Sequence, residues 1–420
     1  MNIKNKSTHN VNIFFKQLKK YENYNIFVHT DKSNALKAAL NSDNRLKPLS
    51  EIDGILIAVK PNIPVKKFPF TGGIQEFKDI TSKYNDPLID LIINNGGIII
   101  GLTNMDEAAF GGDTSTSFYG TCENPLNINC SVGGSSGGSA AAISSGLVNY
   151  AIGTDTMGSV RIPASYCGIT SFKPSSILNN NNFIKKLSNT YDTIGFMGKK
   201  MININNLIEC INQKVNIKKI DTDFSKNINC VIPNQIFDSD INDDVLKNFK
   251  SIILKLIKNN INIKYKELNY WKPNNHRKAL LKIVEYEGSK NLKQLLDNNK
   301  SQVSELLRKN LTYGKNLNDE VIKDIKNDLK NLKQNVNIFF ETNDLIIMPT
   351  TPQTTFNRML GIPYNQANFT SLANIADLPA ITIPIYQKEN KKPFSLQIMS
   401  SNKNDHNLLK ISSYLEKILQ

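Results

Sequence analysis

The chain has 420 residues, 40% of them apolar, enough to bury a large core as two or three domains or, as expected here, one large catalytic one. No apolar run reaches the length of a transmembrane helix, which excludes a helical membrane span, and the negative mean hydropathy of −0.32 fits a soluble globular protein. Lys and Arg number 51 against 37 acids, a net charge of +14; the excess is lysine and accompanies heavy use of Asn and Ile, so compositional drift accounts for it as well as nucleic-acid affinity does, and no arginine patch or RNA-binding motif is visible.

The N-terminal stretch MNIKNKSTHNVNIFFKQLKKY has no acid before Glu22, mildly like a mitochondrial targeting segment, but it lacks the arginine such segments favour. NVNIFFKQLKK is read as an amphipathic helix packed on the body. SNALKAALNSD reads as a short helix with Ser33 as its N-cap. GILIAVK is a buried strand ending in Lys60, and an amine there is costly to bury unless it is paired or neutral. DPLIDLIINNG is a helix with Asp86 at its start and Gly96 or Gly97 at its end, and GIIIGL a second buried strand. This strand–helix–strand alternation points to an α/β fold, a central mixed twisted sheet flanked by helices. NMDEAAFGGDTSTSFYG is a loop-rich segment bordering the site. Asp106 and Glu107 are adjacent, do not face each other on a helix, and read as a helix start.

Two glycine-serine loops follow. Gly133, Gly134, Gly137 and Gly138 bracket Ser135 and Ser136, so backbone N–H groups and two hydroxyls can approach a ligand closely. GGSSGG alone is more often a linker, and no lysine follows in phosphate-loop spacing. After the helix-compatible SAAAISSGL, YAIG is a short strand and TDTMGS a tight turn with Ser159 at its tip, the exposed position that a nucleophilic serine needs. With Lys60 these loops make a lysine–serine–serine set, a variant of the nucleophile–base arrangement.

The remaining residues add no competing chemistry. Cys122, Cys130, Cys167, Cys210 and Cys230 form no C-x-x-C pair and are odd in number, which implies neither zinc nor a disulfide framework and fits a reducing compartment. His9, His29, His276 and His406 lie far from either serine loop in sequence, so no Ser-His-Asp triad is evident and they read as surface or structural. SSILNNNNF reads as a disordered loop. INDDVLKNFKSIILKLIKNN, NHRKALLKIVEYEGSKNLKQLLDNN and NDEVIKDIKNDLKNLKQNVNIFF are Lys- and Asn-rich amphipathic helices with solvated charged faces. DLIIMPTTP, AITIPI and PFSLQIMS restore buried strands, and NDHNLLKISSYLEKIL closes the chain as a helix with Asn404 as its N-cap. The expected division is residues 1–50 as an N-terminal helical segment, 51–200 as the catalytic core, 201–340 as a helix-rich part of the same domain, and 341–420 as strands and a helix completing the core.

GGSSGGSAAA, GTDTMGSVRIPA and CGITSFKP strongly resemble the signature of the amidase signature family, and GLTNMDEAAFGG and ENPLN resemble its upstream segments. The resemblance implies that Ser159 is the acyl-enzyme nucleophile, that Ser135 bridges it to Lys60, and that Lys60 works as a neutral amine base. It implies an oxyanion hole from the N–H groups of Thr156, Met157, Gly158 and Ser159, with Ser136, Thr154, Asp155 and Arg161 in support and no metal. Two departures stand out: Met157 replaces a common glycine, costly if that position needs a positive φ, and Pro61 replaces a common aspartate.

Within the family, YNIFVHT, TNMDE and YDTIGFMGKK are similar to the glutamine-hydrolysing subunits of glutamyl-tRNA(Gln) amidotransferases, especially the mitochondrial form. That likeness implies glutamine hydrolysis, with ammonia passed to a B-type partner that amidates Glu-tRNA(Gln). ATP and magnesium would belong to the partner, a small C-like or F-like subunit would complete the complex, and no membrane would be involved. The compartment would be the mitochondrial matrix, or alternatively the cytoplasm. Arg308, with Lys309 as its neighbour in register, and Asp192 are the implied substrate-binding residues, while Ala367 stands where an aspartate is expected. The alternatives are a stand-alone amidase on another small amide or urea derivative, since NRMLGIPYNQANFTSLANIADLPA has some likeness to allophanate hydrolases, and a catalytically degenerate assembly subunit.

Overall fold

The structure is a computed structural model that describes residues 6–176, 183–212, 228–298, 300–385 and 392–419. Among the described residues eleven strands form one mixed sheet: β1 (Phe27–Thr30), β2 (Leu56–Val59), β3 (Ile98–Thr103), β4 (Tyr150–Asp155), β5 (Thr170–Lys173), β6 (Thr193–Gly198), β7 (Asn229–Pro233), β8 (Asn262–Lys266), β9 (Leu345–Pro349), β10 (Ala380–Ile385) and β11 (Phe394–Ser400). Their order across the sheet is β1-β3-β2-β4-β6-β5-β10-β11-β9-β7-β8. β2 runs parallel to β3 and β4, and β7 parallel to β8 and β9. The strands between these two groups pair antiparallel.

β2 shows why the sheet sits at the centre. Its four residues are all buried, the continuous apolar pattern of a strand covered on both faces. Ile57 and Val59 enter one core; Leu56 and Ala58 enter the other. Side chains alternate across a strand, so this short run anchors two layers at once.

The first flanking helices are α1 (Lys6–Leu18), α2 (Lys32–Asp43), α3 (Pro87–Asn94), α4 (Gly137–Ser144), α5 (Arg161–Cys167) and α6 (Met201–Ile211). Ala140, Ala141 and Ala142 of α4 are fully buried, and a Cβ on Gly138 would lie 2.4 Å from the Asn104 backbone, so the small residues let this helix press onto the chain beyond β3. The N-terminal part is not helical alone: β1 pairs antiparallel with β3 at the sheet edge. Asp31, not Ser33, caps α2, because its carboxylate accepts from Asn34 N while Ser33 already lies inside the helix. Asp86 caps α3 by accepting from Leu88 N.

The later helices are α7 (Asp243–Lys258), α8 (Pro273–Asn291), α9 (Lys293–Asp297), α10 (Glu305–Lys315), α11 (Asp319–Phe339), α12 (Ser371–Ile375) and α13 (Asp405–Leu419). α7 starts on Asp243 and Asp244 and ends on Lys255 and Lys258, matching the helix dipole, and buries Val245, Phe249 and Leu256. The 201–340 stretch also supplies β7 and β8. His276 is buried and structural, its Nδ1 accepting from Lys272 N at 2.9 Å. The asparagine run at 179–182 lies outside the described residues. No helix among the described residues is long and apolar enough to cross a membrane.

Candidate active site

β2 ends at Val59 and delivers Lys60 into the interior, where its side chain is 0% exposed. Its Nζ donates to Ser135 Oγ at 2.8 Å, Ser136 Oγ at 2.8 Å and Thr154 Oγ1 at 2.9 Å. Burial lowers its pKa to about 7, against the opposing pull of Asp106, Asp192 and Asp155. None of these acids is within ion-pair distance, so the amine sits among hydroxyls that serve it protonated or neutral. Pro61 does not disturb it: Lys60 N donates to Ile152 O and its carbonyl accepts from Ile63 N, a turn that asks nothing of a residue-61 N–H.

Ser135 and Ser136 precede α4, and the Gly134–Ser135 peptide is cis. Ser136 Oγ donates to Thr154 O at 3.0 Å, and Asn62 Nδ2 donates to Thr154 Oγ1 at 3.1 Å. A Cβ on Gly134 would strike Asp106 Oδ2 at 2.2 Å. Asp106 stands, as expected, at the start of a helical turn, the short 3-10 segment Glu107–Ala109, but its side chain makes no cap there. Its carboxylate accepts from Thr114 N, Ser115 N and the Thr116 hydroxyl, clasping the loop behind the serines, and burial raises it to about 6.

Ser159 follows β4 on a turn held from beneath. Asp155 accepts from Gly158 N at 2.8 Å and Val160 N at 3.1 Å, and pairs with Arg161 Nη2 at 2.9 Å. Burial opposes its charge, but Arg161 and Asn374 hold its carboxyl well below the usual carboxylate range. Arg161 Nη1 continues to Thr370 O and Gln397 Oε1. The Gly158 N–H is thus committed to Asp155, which removes it from the four donors expected of an oxyanion hole and leaves Thr156, Met157 and Ser159. Positive φ falls on Gly158, at 129°, and not on Met157, so methionine there carries no backbone strain.

Ser159 is 8% exposed and lines a cavity of about 340 Å³ with Thr156, Met157 and Gly134. Ser136 N donates to Ser159 O at 3.2 Å. The expected Ser135–Ser159 hydroxyl link is not a hydrogen bond here: Ser135 takes Lys60, and Ser159 Oγ has no hydrogen-bond partner among the described residues.

The two substrate residues expected from the sequence lie elsewhere. Arg308 donates to the carbonyls of Leu295 and Ser301. Leu306 and Asn310 of α10 reach the cavity, and two residues along a helix from each puts Arg308 on the other side. Asp192 supports the turn from behind, accepting from the Thr156 hydroxyl at 2.6 Å and from Leu187 N and Ser188 N. Ala367 does line the cavity. So do Arg277 and Glu285 of α8, which the sequence pattern places among solvated charges. The available signal was scarcity: the chain has five arginines (45, 161, 277, 308, 358) among its 51 cations, and Arg161 and Arg277 are both buried. Among the described residues no group of three His, Cys, Asp or Glu is arranged to hold a metal ion.

The sequence profile of the family described as Amidase matches residues 9–409. The chain is 39% identical over 198 residues to the glutamyl-tRNA(Gln) amidotransferase A-subunit of Endomicrobium trichonymphae, covering 46% of this chain and 41% of that protein. It is 30% identical over 451 residues to the protein of the same name from Legionella pneumophila (strain Corby), covering 94% of this chain and 90% of that protein. Among solved structures it resembles a crystallised amidase with a TM-score of 0.90 and 21% identity, over 99% of this chain and 96% of that one, which shows a shared fold.

Proposed function

The chain belongs to the amidase family, and from that premise we propose that it hydrolyses the side-chain amide of glutamine and passes the ammonia to a partner that amidates Glu-tRNA(Gln). The observation that carries the reading is the buried Lys60 amine, held near neutrality at 2.8 Å from Ser135 beside a cavity onto which Ser159 opens. The names of the relatives support the choice of substrate and assembly.

In the proposed reaction Ser159 Oγ attacks the carboxamide carbon while its proton passes through Ser135 to neutral Lys60. The C–O bond forms, the C–N bond breaks, and the proton returns to the leaving ammonia. Water then cleaves the glutamyl ester, restoring Ser159 and releasing glutamate. Backbone N–H groups of the 156–159 turn take the developing oxyanion, each donor contributing about 2.7–4 kcal/mol to lowering the barrier. Ser135 must swing onto Ser159 for this relay, a hydroxyl rotation that Lys60 can follow through Ser136 and Thr154. In this reading ATP and magnesium act on a B-type partner, and a small C-like or F-like subunit completes the complex. The experiment is ammonia release from glutamine by the chain co-purified with its partners, coupled to Glu-tRNA amidation and lost in Ser159→Ala.

One observation favours a second reading: Ala367 stands in the cavity where a carboxylate was expected. A stand-alone amidase acting on other small amides would show itself by hydrolysing them as the lone chain, without glutamine turnover.

A further inference from the structure

Two charged side chains line the cavity beside Ser159, and neither has a counter-ion. Arg277 and Glu285 share one face of α8 with Leu281 and Val284, at positions i, i+8, i+4 and i+7. Eight residues of helix separate their Cα atoms by about 12 Å, twice the reach at which helix neighbours pair, and they form no ion pair with each other.

Arg277 is 8% exposed. Its hydrogen bond, Nη2 to Asn274 Oδ1, is long at 3.4 Å, and its Nε is buried with no partner. Burial pulls its pKa down, with only the Tyr364 phenol opposing. Glu285 is also 8% exposed and has no hydrogen bond or ion pair among the described residues; burial raises it to about 7, and Lys282 pulls back only in part. The other lining side chains are uncharged. Buried charges are costly unless paired or well hydrogen-bonded, and the structural acids near this site are so held: Asp155 pairs with Arg161, and Asp106 and Asp192 each accept several hydrogen bonds. An unpaired guanidinium and an unpaired carboxyl on the wall of one cavity are groups kept for a ligand.

We propose that Arg277 and Glu285 are the specificity residues of this cavity, the guanidinium taking a substrate carboxylate and the carboxyl group a substrate ammonium, so that the site selects an amide carrying both charges, an α-amino acid amide. Leu281 and Val284 between them supply the apolar wall for its methylene chain. This assignment rests on the reading of the cavity as the substrate pocket of Ser159. It also accounts for an aspartate being dispensable at Ala367, since the carboxyl group for the ammonium comes from α8.

The test is calorimetric titration of the full chain, with the subunits that co-purify, carrying Ser159→Ala so that nothing is turned over. The ligands are L-glutamine, glutaramate (no ammonium) and 4-aminobutanamide (no carboxylate). Glutamine is expected to bind at least about ten-fold tighter than either analogue, the loss of one charge-assisted contact. Arg277→Gln is expected to bring glutamine to the level of 4-aminobutanamide while leaving 4-aminobutanamide itself unchanged. Glu285→Gln should do the same relative to glutaramate. Equal binding of glutamine and its analogues, undetectable glutamine binding, or equal losses for all three ligands in Arg277→Gln would overturn the assignment. If a variant fails to fold, the analogue series on the Ser159→Ala chain decides alone. Ammonia release separates the two readings: glutamine bound as expected but not hydrolysed by the wild type sinks the amidase reading and keeps this one. Glutamine hydrolysed with an unchanged KM in Arg277→Gln does the reverse.

Discussion

Asp155 and Arg161 face each other at 2.9 Å with both side chains 0% exposed, and between them they join the Ser159 turn to the C-terminal part of the chain. Asp155 holds the turn N–H groups; Arg161 reaches Thr370 and Gln397. Arg161→Met leaves a buried carboxylate unpaired and is expected to cost about 3–5 kcal/mol in denaturant unfolding. Asp155→Asn combined with Arg161→Met is expected to cost less than the sum of the single variants, because no uncompensated charge remains. Since the Asp155 carboxyl is held below its ordinary pKa of about 3.9, its contribution is present above that pH and is lost as pH falls through the lower folded value.

In the proposed reaction the Lys60 amine sets the pH dependence. Its pKa is lowered to about 7, and the neutral form is the base in that proposal, so kcat is expected to rise with pH through about 7 and level off above it. Lys60→Arg keeps a permanent charge and should abolish turnover at every pH, as should Lys60→Met. A flat profile from about pH 6 to about pH 9 in wild type would contradict the assignment.

Position 158, and not 157, is where the turn needs glycine. A Cβ on Gly158 would lie 2.3 Å from Thr370 Oγ1, on a backbone at φ 129°. Gly158→Ala is expected to lose about 1–3 kcal/mol of stability and most activity. Met157→Gly should stay within about 1 kcal/mol of wild type, with kcat changed only a few-fold, as thermal melts and steady-state kinetics would show.

Ser135 and Ser136 both accept from Lys60, but they are expected to fail differently. Ser135→Ala should cut kcat by about 10²–10⁴-fold with KM little changed, the loss of a proton-transfer partner. Ser136 also ties Lys60 to Thr154 O, so Ser136→Ala should additionally lower the melting temperature.

The clustering of Lys60 with the glycine-serine loop was legible because its signals are local. A lysine closing an apolar strand and two glycine-serine loops carry their geometry in adjacent residues, and the structure gathers Lys60, Ser135 and Ser136 as neighbours. The strand alternation of the first half likewise announced a sheet with helices on it. The charged wall of the cavity was not legible. On α8, Arg277 and Glu285 follow the same spacing as solvated charges, and only packing decides which face is wet. Part of that packing is Gly314 of α10: a Cβ there would lie 2.1 Å from Glu285 O, so its absence lets α10 close onto α8. Arg308 and Asp192 matched by motif position, but helix phase turns one away and three hydrogen bonds consume the other. β1 was hidden because its residues are only partly buried and its pairing with β3 is non-local.

The central claim is that Ser159 carries the acyl group, and the most direct test is mass spectrometry of the acid-quenched complex after brief exposure to glutamine. A glutamyl ester is predicted on the peptide containing Ser159, absent in Ser159→Ala and in Lys60→Met. Sustained ammonia release with Ser159 never modified, or persisting in Ser159→Ala, would contradict the claim.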